Sequence, residues 1–322
     1  MTAHTLPTTI RALVQPNSTS NEVTLVHRNV PVPDTSKGEH LIRVYAASPC
    51  ARELQWATLV SVRRKDIITC NDVAGVIVSS PPESPFQAGD EVYARTSYWR
   101  PGDARDYTIA ITEELGHRAK NLSWAESAAT PLSAETAWQA FFTHSGIGEF
   151  GSSSWKGKRI LVTAAAGGVG VWLIQIGQLL GADMIGTCGP KNADFVKRLG
   201  ASEVLDYHTV DFKDWASKEK NRVDLVIDCA GGKSLEDSWW CLKENGTIIG
   251  IVQPPEQSRP DQLDAPNVTD LQEITKLVEV GKCSPVVDSI WPLEQFEHGF
   301  ARLESGHARG KVVFDLMLNV RK

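Results

Sequence analysis

The residues whose type and spacing speak most directly of chemistry are the glycines of the run Ala164-Ala165-Ala166-Gly167-Gly168-Val169-Gly170. Gly167 and Gly170 stand at the second and third glycine positions of a dinucleotide fingerprint. There a missing Cβ lets a pyrophosphate approach the backbone and lets the following helix pack tightly on its strand. Ala165 stands where the first glycine would. Helix-start amides from Gly168 to Val171 would supply donors and a partial positive charge to the phosphates. Beyond the next strand-like run the chain reads Gly189-Pro190-Lys191, with no carboxylate until Asp194. Enzymes for NAD place an Asp or Glu at that point to take the ribose hydroxyls. A small residue followed by a cation suits a 2′-phosphate, so the cofactor expected is NADPH (NADP+). An ordinary solvated lysine is the other reading of Lys191.

These groups need a strand before them, a helix after them and a sheet around them. Residues 160 to 162 form a short apolar, β-branched run, a helical pattern continues to Leu180, and a second strand runs from Met184 to Cys188. The alternation goes on through a helix at 192 to 199, a strand ending before Tyr207, an apolar strand at 223 to 229 and another at 247 to 252. Such a β-α-β-α-β-α-β order implies a doubly wound parallel sheet with helices on both faces. Residues 10 to 46 instead alternate strand-like runs with proline-bearing turns and begin a β-rich domain. Ser123 to Glu126 is a capping-box pattern, Pro131 is expected to end the helix it starts, and a second helix is expected from Ala134 to Thr143. The domains expected are 1 to 125 with 283 to 322, β-rich, and 126 to 282, Rossmann-type.

Composition narrows the function classes. The chain has 322 residues, 42% hydrophobic and 22% charged, with a net charge of -6. That is an ordinary globular balance with length for two cores. No basic stripe exceeds Arg63-Arg64-Lys65, which argues against a nucleic-acid surface. The six cysteines, at 50, 70, 188, 229, 241 and 283, show no C-x-x-C spacing and no paired framework, so the chain reads as cytoplasmic. No run approaches the length of a membrane helix. No Ser-His-Asp order, carboxylate pair or histidine cluster is visible.

The run AAAGGVG, with LGASEVLDY (199 to 207), GDEVYA (89 to 94), TAW (136 to 138) and GKVV (310 to 313), resembles the medium-chain dehydrogenase/reductase superfamily. The closest branch is the zinc-free quinone oxidoreductase and enoyl reductase group in its fungal form. The resemblance covers residues 10 to 315 and implies a Rossmann-type domain beside a partly barrel-like, GroES-like catalytic domain. It implies cofactor contacts at Ser48, Thr136, Ala165, Gly167, Gly168, Val169, Gly170, Gly189, Lys191, Tyr207, Ala230, Gly231, Ile251 and Lys311. A hydroxyl bonded back inside its helix is the alternative for Thr136.

Ser48 and Asn71 stand where zinc-dependent members have a Cys and a His ligand, and Cys50 is displaced by two positions, so no metal is expected. Ser48 and Ala51 depart from the Asn and Asp usual in the zinc-free branch. Tyr98 is a candidate proton donor, or else part of an aromatic cover over a barrel end. Glu53, with Arg52, is a candidate for charge at the cleft, or else half of a surface ion pair. The activity expected is NADPH-dependent hydride transfer to an activated alkene or quinone, a small-molecule substrate, by a monomer or homodimer. A non-redox isomerase or cyclase of secondary metabolism and a non-enzymatic NADPH-binding protein are the alternatives. Residues 253 to 269, with four prolines, are expected to be a loop shortened relative to the family.

Overall fold

The computed structural model describes residues 6 to 56, 65 to 253 and 266 to 318. In chain order its first strands are β1 (Thr9–Asn17), β2 (Thr24–Asn29), β3 (Glu39–Ser48), β4 (Lys65–Ile68), β5 (Asp72–Ser79), β6 (Glu91–Arg95), β7 (Tyr107–Ile111) and β8 (Leu115–His117). Helices α1 (Trp124–Ala128) and α2 (Pro131–Gln139) follow. Then come β9 (Arg159–Val162), α3 (Gly168–Leu179), β10 (Asp183–Cys188), α4 (Ala193–Leu199), β11 (Glu203–Asp206), α5 (Phe212–Ala216), β12 (Val223–Asp228), α6 (Lys233–Ser238) and β13 (Leu242–Gly250). The last elements are α7 (Val268–Glu279), β14 (Val287–Pro292), α8 (Phe296–Glu304) and β15 (Lys311–Asp315).

The chain divides into two compact units, one of Met1–Leu132, Pro266–Glu279 and Val286–Lys322, the other of Ser133–Ala265 and Val280–Pro285. The expected dinucleotide domain of 126 to 282 therefore differs at both ends. Helix α7 belongs with the β-rich unit, where Leu271 packs with Tyr93 and Ala74 and the Thr275 hydroxyl meets Tyr93 Oη at 2.6 Å. The expected shortening of the 253 to 269 loop falls mostly outside the described residues.

The β-rich unit contains an antiparallel sheet in the order β2-β1-β4 and a larger one in the order β14-β15-β3-β5-β6-β8, with β7 also paired to β3. Strand β3 is buried along most of its length because it is central and covered on both faces. One face meets Leu13, Ile77, Phe300 and Phe314; the other meets the small residues Ala125, Ala128 and Ala129 at α1. The capping box starts α1 as its sequence dictates: Glu126 N–H donates to Ser123 Oγ at 3.2 Å, and Ser123 N–H to the Glu126 carboxylate at 2.8 Å. Pro131 begins α2 instead of only ending α1. Proline suits a first helical position, and the next amide, Leu132 N–H, is held by Asp72 Oδ1 at 2.6 Å. Helix α2 then ends at Gln139 in a π-type turn over Ala140–His144, in place of the expected helix to Thr143.

The second unit is the expected parallel sheet, in the order β11-β10-β9-β12-β13. Strands β9 and β12 read as continuous apolar runs because both faces are covered, and Ile160 to Val162 and Leu225 to Ile227 are fully buried. Helix α3 is predominantly apolar and buried from Gly170 to Gly177. The order reverses between β9 and β12, which is where ligands of open α/β sheets lie, outside the carboxyl strand ends. No helix among the described residues is long and apolar enough to cross a membrane.

Candidate functional site

In the parallel-sheet unit the chain leaves β9 through Thr163 and turns at Ala164, a non-glycine residue with φ of 49°. Such a left-handed alanine costs on the order of 1 kcal/mol. It is held by Ala164 N–H to Thr187 Oγ1 at 3.3 Å and Ala165 N–H to Thr187 O at 2.9 Å. Gly167 is the residue before α3, and the first helical amide to find a carbonyl is that of Val171, at 3.1 Å from Gly167 O. The amides of Gly168, Val169 and Gly170 are thus the orphan donors of a helix start.

The two fingerprint glycines have separate tasks. A Cβ on Gly170 would lie 2.5 Å from Ala164 O and 2.7 Å from Ala165 Cα, so this glycine lets helix and strand touch. A Cβ on Gly167 would meet only Ala164 O, at 3.2 Å, and otherwise point into open space. That is the cradle a pyrophosphate would fill, and the residues present fit a dinucleotide. The Ala165 methyl, at the first glycine position, packs within 2.9 Å of where a Cβ on Gly186 would stand.

At the end of β10, Gly189 opens a 3-10 turn over Pro190–Asn192, with Lys191 exposed. A Cβ on Gly189 would lie 3.7 Å from Tyr207 Cε1 and 3.8 Å from both Tyr207 Oη and His208 Nε2. The Tyr207 and His208 rings are in contact, tilted by 38° with centroids 4.1 Å apart. His208 was not among the residues the sequence singled out. It carries no motif and is found only through its ring contact.

Asp228, at the carboxyl end of β12, also escaped the sequence reading. It is fully buried, and Thr163 Oγ1 and Ser234 Oγ donate to its Oδ1 at 2.7 and 3.0 Å, while Gly231 N–H donates to Oδ2 at 2.6 Å. Gly231 and Gly232 have φ of 75° and 55°, a loop conformation that favours glycine and that the Asp228 carboxylate holds in place. Ile251 N–H donates to Asp228 O at 2.8 Å, so Ala230, Gly231 and Ile251 share one strand-end cluster. Thr136 is buried on α2.

In the β-rich unit the expected site residues are buried among one another. Lys311 Nζ donates to Asp72 Oδ2 at 2.9 Å, Pro49 O at 3.0 Å and Cys50 Sγ at 3.1 Å. Burial works against this ammonium, yet the Asp72 carboxylate beside it more than offsets that, and its pKa is raised. Burial pushes the Cys50 thiol up to about 12 despite Lys311, so it stays a neutral thiol. Ser48 Oγ donates to Val312 O at 2.7 Å. The polar ends of Ser48 and Lys311, assigned to the cofactor by resemblance, are thus already satisfied inside this unit.

Glu53 corrects a second expectation, that of a surface ion pair with Arg52. Its carboxylate is buried and accepts Cys50 N–H at 2.9 Å and Cys70 N–H. Burial raises its pKa to about 7 against those two amides and Lys311. A cavity of about 10 Å³, room for roughly one water, is lined by Glu53, Gln15, Asn71, Tyr98 and Arg100 and brings the two catalytic candidates together. Tyr98 packs edge-on between Trp56 and Trp99, with ring centroids 5.6 and 5.8 Å away, and Trp99 is 59% exposed.

The segment carrying Tyr98 is anchored by buried acids. Asp103 accepts from Thr96 and Thr108 hydroxyls, both at 2.6 Å, and Glu114 accepts Ser97 N–H at 2.9 Å and pairs with Arg100. Burial lifts Asp103 to about 7 and lowers Arg105 to about 10. Asn71 Nδ2 donates to Thr96 O at 3.4 Å. Among the described residues no group of three or more His, Cys, Asp or Glu side chains is placed to hold a metal, and all six cysteines are free.

Comparison with known proteins accords with this geometry. Residues 36–132 match the family described as alcohol dehydrogenase GroES-like domain, and residues 199–314 the family described as zinc-binding dehydrogenase. A protein of Arthroderma benhamiae named probable zinc-binding oxidoreductase, mitochondrial, is 47% identical over 309 residues, spanning 92% of this chain and 93% of that one. The chloroplast envelope quinone oxidoreductase homolog of Arabidopsis thaliana is 33% identical, over 90% of this chain and 94% of its own. The structure of the quinone oxidoreductase from Coxiella burnetii superposes with a TM-score of 0.83 at 25% identity, covering 96% of this chain and 99% of that one. With two unit folds, the glycine cradle and full-length relatives in agreement, the chain belongs to the medium-chain dehydrogenase/reductase superfamily, in its quinone oxidoreductase-like branch.

Proposed function

We propose that the protein is an NADPH-dependent, zinc-independent oxidoreductase that reduces an activated alkene or a quinone. It acts on a small molecule, as a monomer or homodimer, without nucleic acid or membrane. The observation that carries this reading is the cradle at the sheet's reversal point: Gly167 open to solvent, orphan amides from Gly168 to Gly170, and Gly189 with Lys191 where an NAD site would hold a carboxylate. Relatives named as quinone and NAD(P)H oxidoreductases support the redox class.

When bound, the reduced nicotinamide supplies the hydride. The chain's own tasks are to bind, orient and exclude water. The start of α3 neutralises the pyrophosphate through fixed donors and its dipole. Asp228 sets the Gly231–Gly232 loop at the strand ends, so that the nicotinamide half meets a preformed surface. The Glu53 carboxyl, raised by burial to about 7, can hold a proton close to neutral pH in the cavity it shares with Tyr98, and Trp56 and Trp99 offer flat apolar contact to a conjugated acceptor. Ser48 and Asn71 at the zinc-ligand positions, with Cys50 neutral, support activity without metal.

The test is loss of reduced-nicotinamide absorbance with a panel of quinones, enones and 2-enoyl thioesters, alongside NADPH titration and metal analysis. Turnover with any acceptor in metal-free protein is expected. Tight NADPH binding without oxidation of any acceptor would overturn the reductase reading in favour of a non-redox role, and stoichiometric zinc would overturn the metal-free one.

A further inference from the structure

The geometry points to His208 as a determinant of cofactor choice, donating from its imidazole to the 2′-phosphate of the adenosine half. This rests on the NADPH reading above and adds a residue to it. Three observations carry it. First, Gly189 follows β10 directly, and the space its missing side chain leaves, where an acidic residue takes the ribose hydroxyls in NAD sites, is bordered 3.8 Å away by both Tyr207 Oη and His208 Nε2. Two polar tips from the end of β11 thus converge on the point where the 2′-position of the ribose belongs.

Second, the imidazole is held there. Its ring lies against Tyr207, tilted by 38° with centroids 4.1 Å apart, and its backbone amide donates to Asp206 Oδ1 at 3.0 Å. Third, Lys191 in the turn after Gly189 is exposed and forms no salt bridge among the described residues. A phenol and an imidazole Nε2 beside an empty Cβ position, with an exposed ammonium two residues along the chain, make a donor set for a phosphomonoester.

His208 lies on the surface and packs only on its neighbour, so its replacement leaves the fold intact. The experiment is calorimetric titration of the full chain and of His208→Ala and His208→Gln with NADPH, NADH and adenosine 2′,5′-bisphosphate. Hydrogen bonds to charged groups predict that His208→Ala weakens NADPH and the bisphosphate by about tenfold and leaves NADH within about twofold, with His208→Gln, which keeps an N–H donor, in between. Equal weakening of NADPH and NADH would make His208 merely structural and overturn the proposal, as would an unchanged NADPH to NADH ratio. If the unaltered chain binds NADH as tightly as NADPH, the NADPH reading itself falls and this one with it. A wild-type preference for NADPH that His208→Ala preserves sinks only the role of His208.

Discussion

The glycine cradle of the parallel-sheet unit and the polar cluster of the β-rich unit are built on opposite plans. The first consists of groups without protein partners: helix-start amides, an exposed Lys191, and the tips of Tyr207 and His208 beside the missing side chain of Gly189. The second consists of charged groups already satisfied inside the protein, Lys311 with Asp72, Arg100 with Glu114, and Asp103 with two threonine hydroxyls, every acid among them buried. The difference separates binding from scaffolding. A buried charge already compensated inside the protein has little left to offer a ligand, whereas an orphan amide gains a full partner when one arrives. Residues assigned by family position alone, such as Ser48 and Lys311, fall on the scaffolding side.

The contrast breaks most visibly at Lys311. Lys311→Met would leave Asp72 buried without its cation, and denaturant unfolding should register a loss of about 3–5 kcal/mol. A loss below about 1 kcal/mol would show the pair to be dispensable. Next comes pH. The carboxyls of Glu53 and Asp103 are raised by burial to about 7 from ordinary values of 4.5 and 3.8. Groups raised on folding contribute stability that is complete below the unfolded pKa and lost as pH climbs through the folded one. Stability should therefore fall from about pH 4, where Asp103 begins to matter, to about pH 7, by roughly 3 kcal/mol for Glu53 alone. Glu53→Gln should remove about half of that slope; an unchanged slope would place its origin elsewhere.

The cradle is sharpened by comparing its two glycines. Gly170→Ala drives a methyl into the Ala164–Ala165 backbone and should cost about 1–3 kcal/mol while weakening every dinucleotide alike. Gly167→Ala meets one atom at 3.2 Å and should leave the melting temperature nearly untouched while weakening pyrophosphate-bearing ligands. Unimpaired binding by that variant would remove the pyrophosphate from Gly167. The smallest expected effect is at Lys191, where replacement by Ala should cost NADPH about tenfold in affinity, about 1.4 kcal/mol, and NADH little. An equal loss for both would detach Lys191 from the phosphate.

What could be read from the sequence was local. The period of β9 and α3, the capping box at Ser123 and the glycine spacing each depend on residues within one turn of one another, and each holds in the structure. What could not be read depends on distant partners. Pro131 acts as a helix start because Asp72, far back in the chain, accepts the next amide. Glu53 is buried because Cys70 lends it a backbone N–H across 17 positions. Helix α7 joins the β-rich unit through Tyr93, separated by 182 positions from its hydroxyl partner Thr275. Asp228 and His208 belong to no motif, and their roles appear only when strand ends are brought side by side.

The pairing of β3 with β15 has a consequence for how the chain is made. Phe314 and Asp315 complete the edge of β3 at Ala47 and Ala46, and the nearby Ser48–Val312 hydrogen bond spans 264 positions. At ordinary rates of translation the ribosome needs roughly 10 to 50 s to cover that distance. By the end of that interval the parallel-sheet unit, encoded in between, has its five strands in hand, while the end of β3 still carries one row of amides and carbonyls unpaired. The nascent protein is therefore most exposed to strand exchange with neighbouring chains late in synthesis, at an edge that the finished molecule no longer presents.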